Sequence, residues 1–271
     1  PDKPTIFMGS RSVFNFTMRL DSHAGGHHSG NWGGLLTNPG VVMAHAIASM
    51  IDRNGKILVE GWRSTQIPNS VRAAIAKLDV GEGENTPDIN PNWGEPDLTI
   101  AERVFASNTF EVRAFETGNP KSPANAIPPS AVVFGHLRYV VGTDISKLMP
   151  LLRAHLDKHG FNDITITSER DMMPATRLDP DHPWAKWAIK SLSKTAEDEI
   201  AVIPNLGGAL PNDVFADLLG LPTIWVPHSY AGCSQHAPNE HILESISKSA
   251  LRLMTGLWWD LGEGNTPRQV S

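Results

Sequence analysis

Apolar and polar residues alternate near the amino end of the chain. The stretch FNFTMRL, residues 14–20, places an apolar side chain at every second position. A period of two residues is typical of a strand that buries one face. We therefore predict a strand between Thr5 and Leu20.

Helix and strand signals follow in the next part of the chain. Asn38, with a proline after it, and Asp144 favour helix starts, and Gly160 favours the end of the second helix. Residues 80–98 contain too many Gly, Pro, Asn and acidic residues for regular structure, which predicts a surface loop. Residues 5–167 therefore predict an α+β module with a mostly antiparallel sheet and helices. Its further strands are predicted at 57–60, 108–116, 131–141 and 163–168.

The rest of the chain alternates helices with short apolar strands. This order is typical of an α/β layer with a parallel sheet, so the fold class predicted for the chain is α/β. Two or three strands are fewer than the ~5–6 of an average sheet, so we expect part of this sheet to come from elsewhere. The predicted helices are at 183–192, 211–220 and 239–261, and the predicted strands are at 200–204 and 223–227.

Composition and charge exclude some classes of protein. Of the 271 residues, 40% are hydrophobic and 19% are charged, which suits one large or two modest globular domains. Lys and Arg total 23 against 29 Asp and Glu, which argues against nucleic acid and anionic membranes as partners. No apolar run approaches the roughly 20 residues that span a bilayer. Cys233 is the only cysteine, so an internal disulfide is excluded and a cytoplasmic location is expected.

Two histidine-bearing stretches are candidate sites. HAGGHHSGNWGG, residues 23–34, suits a metal site, a flexible tail, or a loop that delivers one histidine to a substrate. His236 follows the strand predicted at 223–227, and open α/β sheets place their sites at the carboxyl ends of strands. Its imidazole could bind zinc or a backbone carbonyl, and Glu240 could brace the loop or complement the dipole of the next helix. One histidine alone does not make a metal site.

Four ordered segments resemble a known family of zinc enzymes, family twenty of the metallopeptidases. This family includes carnosine dipeptidases, aminoacylases, acetylornithine deacetylase and succinyl-diaminopimelate desuccinylase. The order of the segments and most of their spacing fit, and the resemblance covers nearly the whole chain except the loop near residues 80–98. The segments are HSGNWGG at 28–34, NAIPPSAVVFGHLRYVVGTD at 125–144, GGALPND at 207–213 and SQHAPNE at 234–240.

The resemblance implies two domains and a dimer. Residues 1–167 resemble the lid domain, through which such enzymes form homodimers. Residues 168–271 resemble the carboxy-terminal segment of the catalytic domain. The chain begins PDKPTIF without an initiator methionine, and we expect it to be a fragment that lacks the amino-terminal catalytic segment.

The resemblance also implies roles for five residues. His236 matches a ligand of one of two zinc ions. His28 matches the lid histidine that crosses the dimer interface and stabilises the oxyanion in the partner's active site. Asn125, Gly207 and Gly208 match positions that contact the substrate.

Some residues depart from the family pattern. Ala209 stands where the family has a serine after the two glycines. Pro204 and Asn205 stand where many dipeptidase-like members carry an arginine that holds the substrate carboxylate, which puts a substrate with a free carboxyl terminus in doubt. Arg138 matches an arginine of a lid strand, and we interpret it as structural.

Other residues resemble metal ligands only in the order of residue types along the sequence. HLD, residues 155–157, lies on a predicted helix, where residues two apart point to different faces and cannot chelate one ion. EDE, residues 197–199, is interpreted as a solvated turn. His23 and His27 have no counterpart in the family and are interpreted as loop histidines. A metal site built from residues 23–34 is disfavoured, because no acidic or thiol ligand lies at useful spacing.

The resemblance implies metal-assisted hydrolysis of an amide bond in a peptide or an N-acyl-amino acid, with zinc activating a water molecule. The alternative is a non-catalytic dimerisation and substrate-lid fragment, which stays inactive without the missing metal-binding segment. Neither alternative involves a nucleic acid or a membrane.

Overall fold

The fold is given by a computed structural model that describes residues 3–64, 66–78, 80–81, 87–168, 172–230, 232–264 and 266–267. The strands are β1 Thr5–Phe7, β2 Gly9–Ser10, β3 Ser12–Asp21, β4 His27–His28, β5 Thr109–Thr117, β6 Ala126–Ile127, β7 Ser130–Tyr139, β8 Thr165–Ser168, β9 Thr176–Arg177 and β10 Ala201–Ile203. The helices are α1 Ser29–Trp32, α2 Pro39–Met50, α3 Asn69–Ile75, α4 Ile100–Phe105, α5 Ile145–Lys158, α6 Pro183–Ala196 and α7 Glu244–Gly262.

The segment predicted as one strand is three strands with different partners. β1 pairs in parallel with β10, and β2 pairs antiparallel with β9. β3 enters a four-stranded antiparallel sheet with the order β5-β7-β3-β8. The prediction of a single strand from Thr5 to Leu20 is therefore wrong, because the chain changes sheets at Met8 and again at Arg11.

The four-stranded sheet and two helices enclose the larger hydrophobic core. Residues of β3 alternate between buried and more exposed positions, as the two-residue period predicts. α2 and α5 cover one face of the sheet, where Phe14, Phe16 and Trp62 pack with ring centroids 5.2–6.1 Å apart. The predicted strands β5, β7 and β8 are confirmed to within two residues at each end.

The predicted caps of both helices are confirmed. The side chain of Asn38 accepts from the first two N–H groups available at the start of α2, those of Gly40 and Val41. The side chain of Asp144 caps α5 in the same way. Gly160 has φ +81° and follows the end of α5, since a left-handed residue does not continue a helix.

The strand predicted at 57–60 is wrong, and the loop predicted at 80–98 is largely confirmed. Ile57 forms only an isolated bridge to Ile51, because the carboxylate of Asp52 holds the intervening residues in a tight turn. Residues 87–98 contain no helix or strand, and residues 82–86 lie outside the described part.

A second core lies between β1, β10, α6 and α7. The buried residues Ile6 and Met8 pack with Ala185, Leu192 and Leu253 of the two helices. β1, from the amino end of the chain, therefore supplies a parallel partner for β10. Because β1 and β2 pair with carboxy-terminal strands, the division of the chain at residue 167 stays a prediction.

Three predictions in the carboxy-terminal part need correction. Residues 211–220 contain a π-helical turn, Val214–Leu218, in place of the predicted helix. In the predicted strand at 223–227, only Trp225 pairs, through two hydrogen bonds to Phe7. The last helix begins at Glu244 and not at 239, because the preceding loop contains residues with positive φ that cannot be helical.

Among the helices of the described residues, none combines the length and the apolar character that a membrane span requires.

Candidate functional site

His28 lies in a short strand beside Asn125. In the β4–β6 pair, His28 lies opposite Ala126. Directly after β4, the N–H and the hydroxyl of Ser29 both donate to the carbonyl of Asn125, at 2.9 and 3.0 Å. Two residues to which the sequence assigns related roles are thus neighbours, and both are exposed.

Gly30 orients the imidazole of His28. The N–H of Gly30 donates to Nδ1 at 3.1 Å, and a neutral imidazole whose Nδ1 accepts carries its proton on Nε2. A Cβ at residue 30 would lie 2.7 Å from Cε1 of His28, so a glycine is needed for this approach. The surface therefore presents an N–H donor, which is the group that stabilises a developing oxyanion.

The other side chains of the first histidine stretch contact one another. The rings of His23 and His27 have centroids 5.0 Å apart, and those of His27 and Trp32 lie 6.2 Å apart. Nδ1 of His23 lies 2.9 Å from the carbonyl of Gly25, so this nitrogen is a donor. Because the stretch contains β4 and α1, the flexible-tail alternative is wrong. The loop role of His23 and His27 stays a prediction.

Gly207 lies against the buried side chain of Arg11. The N–H of Arg11 donates to the carbonyl of Leu206 at 2.9 Å, and the N–H of Leu206 donates to the carbonyl of Gly9 at 2.9 Å. A Cβ on Gly207 would lie 3.5 Å from Nη2 of Arg11, whereas a Cβ on Gly208 would meet nothing within 4 Å. The side chain of Arg11 therefore lies beside Gly207, whereas the space beside Gly208 is open.

Two arginines give this region a positive charge. Arg138 extends from β7, whose register places it opposite Val13 of β3, shortly after Arg11. Burial, and secondarily the positive charge of Arg138, lower the pKa of Arg11 to about 10. Burial also lowers the pKa of Arg138. Arg138, interpreted as structural from the sequence, is thus one of two neighbouring positively charged side chains.

His236 lies on an exposed loop between Tyr230 and α7. Its backbone has φ +61°, and its N–H donates to Oε2 of Glu240 at 3.4 Å. Glu240 precedes the first turn of α7, so the helix-dipole alternative is wrong and the loop-bracing alternative is confirmed. A hydrogen bond of 2.6 Å between the hydroxyl of Tyr230 and Nε2 of His241 connects the two ends of the loop.

The residues of the described part do not fit a complete metal site. Among them, no group of three or more His, Cys, Asp or Glu side chains could hold a metal ion. His236 would therefore need ligands that this part of the molecule does not supply. Its assignment as a zinc ligand stays a prediction, as do the roles of His28, Asn125, Gly207 and Gly208.

Sequence reasoning missed Arg11. The signal was present in SRSVFNF, residues 10–16, where an arginine stands directly before a run of residues patterned for burial. Its position within the single long strand we predicted concealed the change of sheets that buries it.

Comparison with known proteins identifies the family. A sequence model described as the peptidase dimerisation domain, of the M20 family, matches residues 11–164, which is more than half of the chain. The chain belongs to the M20 peptidase family. The match includes β3, β5 and β7 of the four-stranded sheet, α2, α5 and His28, so the dimerisation domain is the part of the molecule that carries the imidazole donor.

Curated relatives of this M20 chain are dipeptidases. The human Beta-Ala-His dipeptidase is 22% identical over 89% of this chain and 49% of that protein. A Cys-Gly metallodipeptidase of Saccharomyces cerevisiae is 22% identical over 89% of this chain and 52% of that protein. The M20 chain thus spans about half the length of the curated relatives it matches.

Solved structures of the family have the same fold. An M20 family metallo-carboxypeptidase from Sulfolobus solfataricus superposes with a TM-score of 0.79 at 26% identity, covering 94% of this chain and 59% of that one. Human carnosine dipeptidase 1 superposes with a TM-score of 0.72 at 17% identity, covering 96% of this chain and 57% of that one. The predicted α/β fold class, with its antiparallel sheet, is confirmed.

Proposed function

We propose that this chain is part of a homodimeric, metal-dependent peptidase or amidohydrolase that cleaves the amide bond of a small peptide or an N-acyl-amino acid. The observation that carries the proposal is the imidazole of His28. It lies exposed on a dimerisation domain, with Nδ1 occupied by the N–H of Gly30 and Nε2 left as a donor. The dipeptidase names of the relatives support the substrate class.

The role that we propose for His28 is to donate from Nε2 to the carbonyl oxygen of the scissile amide. As that carbon becomes tetrahedral, negative charge develops on the oxygen, and a positioned donor stabilises it. Asn125, beside His28, carries an exposed amide that can donate to the same substrate. We propose that both act in the active site of the partner subunit.

A dimer through this domain suits the exposed surface around His28. Trp32, Leu35 and Val41 are exposed apolar residues on α1, α2 and the loop between them. β5 is an edge strand of the four-stranded sheet, and its residues from Glu111 to Thr117 are exposed. Exposed apolar patches and free strand edges are surfaces that proteins commonly cover in assemblies.

We propose zinc as the metal and His236 as one of its ligands. The name metallodipeptidase, borne by a relative, supports a metal, and a neutral imidazole on an exposed loop is a chemically suitable ligand. The non-catalytic dimerisation and lid fragment is the alternative, and the same experiment tests it.

The test is a zinc titration combined with an assay of dipeptide hydrolysis. The chain is prepared alone and together with any residues encoded upstream of Pro1. We expect weak zinc binding by the chain alone, and two zinc ions with hydrolysis when the upstream residues are supplied. His236→Ala should lower zinc content and nearly abolish turnover, whereas His228→Ala, at an exposed histidine near the same loop, should change neither. Unchanged zinc content in His236→Ala contradicts the ligand assignment.

A further inference from the structure

His23 and His27 are two neighbouring histidines that the proposed hydrolysis does not use. Three residues separate them in the chain, and their ring centroids lie 5.0 Å apart with an angle of 65° between the ring planes. A spacing of three residues between two histidines recurs in zinc sites. A tetrahedral ion with Zn–N distances of about 2.0–2.1 Å holds the centroids of two imidazoles roughly 5 Å apart. The separation of the two rings therefore suits one shared ion.

The tautomer of His23 leaves a lone pair on Nε2. Nδ1 lies 2.9 Å from the carbonyl of Gly25, and a carbonyl oxygen only accepts, so Nδ1 carries the proton. In the neutral imidazole, Nε2 is then an acceptor. A histidine that binds a metal ion typically donates from its other ring nitrogen to a carboxylate or a backbone carbonyl. His23 thus has the tautomer and the second hydrogen bond of a metal ligand.

The lone pair of His23 is buried and unsatisfied. Nε2 is shielded from solvent, and no residue that the structure describes donates to it. Buried polar atoms are hydrogen-bonded in the great majority of cases, because an unsatisfied acceptor destabilises the fold. A bound metal ion would satisfy this atom.

His27 is positioned by the pairing of β4 with β6 and by contacts with two rings. One is the ring of His23, and the other is the indole of Trp32, whose centroid lies 6.2 Å away. No hydrogen bond to the ring nitrogens of His27 is found within the described part of the chain. Successive strand residues point to opposite faces, and Nδ1 of His28 is occupied by the N–H of Gly30. His27, and not His28, is therefore the second candidate ligand.

The donor set selects the class of ion. Neutral imidazoles suit zinc, copper and nickel, whereas magnesium and calcium prefer oxygen ligands. The sequence disfavours a metal site here for lack of an acidic or thiol ligand, but two oriented imidazoles supply donors that zinc accepts. No third His, Cys, Asp or Glu of the described residues joins them in a metal-binding group, so water would fill the remaining positions.

We propose that His23 and His27 together bind a zinc ion, through Nε2 of His23 and one ring nitrogen of His27. The ion satisfies the buried lone pair and closes the loop of residues 24–26 onto β4, the strand that ends with His28. This inference rests on the geometry of the two rings and not on the proposed function. The ion touches no reacting atom, so the inference is tested by metal binding and not by turnover.

The experiment follows the ring nitrogens of individual histidines while zinc is added. The 271-residue chain is labelled with nitrogen-15 in its histidine rings, and NMR spectra that connect each nitrogen to the ring hydrogens are recorded at pH 7. The buffer is one that does not bind zinc. We expect Nε2 of His23 and one ring nitrogen of His27 to shift together, with the same Kd. Magnesium should shift neither signal, because it prefers oxygen ligands.

Matched variants distinguish a shared ion from binding to single histidines. His27→Gln should weaken zinc binding at His23 by about 10-fold or more, since even the outer partners of a metal ligand contribute about 10–100-fold to affinity. His23→Gln should have the same effect at His27. His45→Gln, at an exposed histidine of α2, should leave both signals and their Kd unchanged. Amide spectra and melting curves establish that each variant is folded.

Three outcomes would overturn the inference: no shift of the His23 and His27 signals at millimolar zinc, different Kd values at the two histidines, or an unchanged Kd at His23 in folded His27→Gln. Either of the last two results would indicate an adventitious ion only. Failure here is distinguishable from failure of the proposed function. Zinc that shifts the signals of His236 alone would contradict the shared ion and leave the ligand assignment of His236 intact.

Discussion

Replacing Arg11 by methionine should stabilise the ligand-free chain. Burial lowers the pKa of Arg11 to about 10. At about 1.4 kcal/mol for each pKa unit below the ordinary value, the protonated side chain destabilises the folded state by about 3 kcal/mol. Methionine keeps an apolar stem in the same place and removes the charge, and no hydrogen bond from Nε or Nη1 to the described residues is lost.

The expected gain is smaller than this penalty, because methionine leaves part of the guanidinium volume unfilled. We expect about 1–2 kcal/mol, or roughly 2–6 °C in Tm for a protein of this size. The sign depends on pH as follows. At pH 7 both the folded and the unfolded chain hold the arginine proton, so the penalty is fully present. It declines only as pH rises through about 10, where the folded state releases the proton first.

The assay is urea denaturation at pH 7, in buffer free of phosphate and carboxylates, with Arg72→Met as the control. The guanidinium of Arg72 bonds to Glu102, whose side chain is only 7% exposed and caps α4. Its loss should destabilise the chain by about 1.5 kcal/mol, the low end for a charged hydrogen bond. The two substitutions should therefore have opposite signs. A loss of more than about 1 kcal/mol in Arg11→Met would refute the reasoning that the buried charge of Arg11 destabilises the folded chain.

Three further substitutions test other parts of the account. Gly30→Ala should displace the imidazole of His28 and lower kcat with little change in Tm, because the new Cβ would lie 2.7 Å from Cε1; unchanged kcat would count against this orientation. Asn38→Ala should lower the free energy of unfolding by about 1 kcal/mol through loss of the cap, with no change in urea denaturation as the opposing result. Burial lowers the pKa of His155, so the unfolded chain takes up a proton first as pH falls below about 6.5. Stability should decrease there, less so in His155→Gln, and a variant that follows the same pH curve would contradict this.

The sequence predicts well the elements whose signals are local. The alternation along FNFTMRL and the caps at Asn38 and Asp144 depend on residues close to one another in the chain, and β3, α2 and α5 form there. It fails where partners are distant. No residue pattern between Thr5 and Leu20 indicates that parts of this segment pair with three different strands, β10, β9 and β7. These partners lie more than 100 residues away in the chain.

The candidate site shows the same division. His28 and Asn125 could be named from their motifs, and they lie together because β4 pairs with β6. The state of the His28 imidazole could not be derived in that way, since it depends on the contact with Gly30. The burial of Arg11 could not be predicted from the sequence, because it depends on the hydrogen bonds between Leu206 and the segment around Gly9. No short-range pattern encodes such a distant contact.

The most direct test of the central claim, that two subunits share one active site, mixes two inactive variants of the protein, each prepared with any residues encoded upstream of Pro1. Subunits carrying His28→Ala are combined with subunits carrying His236→Ala, and verified heterodimers are assayed for dipeptide hydrolysis. Each heterodimer contains one site with an intact His236 and a His28 supplied by its neighbour, so activity should return to about half of the wild-type value per dimer. His27→Ala in place of His28→Ala serves as the control and should be nearly silent by itself. Heterodimers that remain as inactive as both parents would contradict the claim, since His28 would then act within its own subunit or only in the fold.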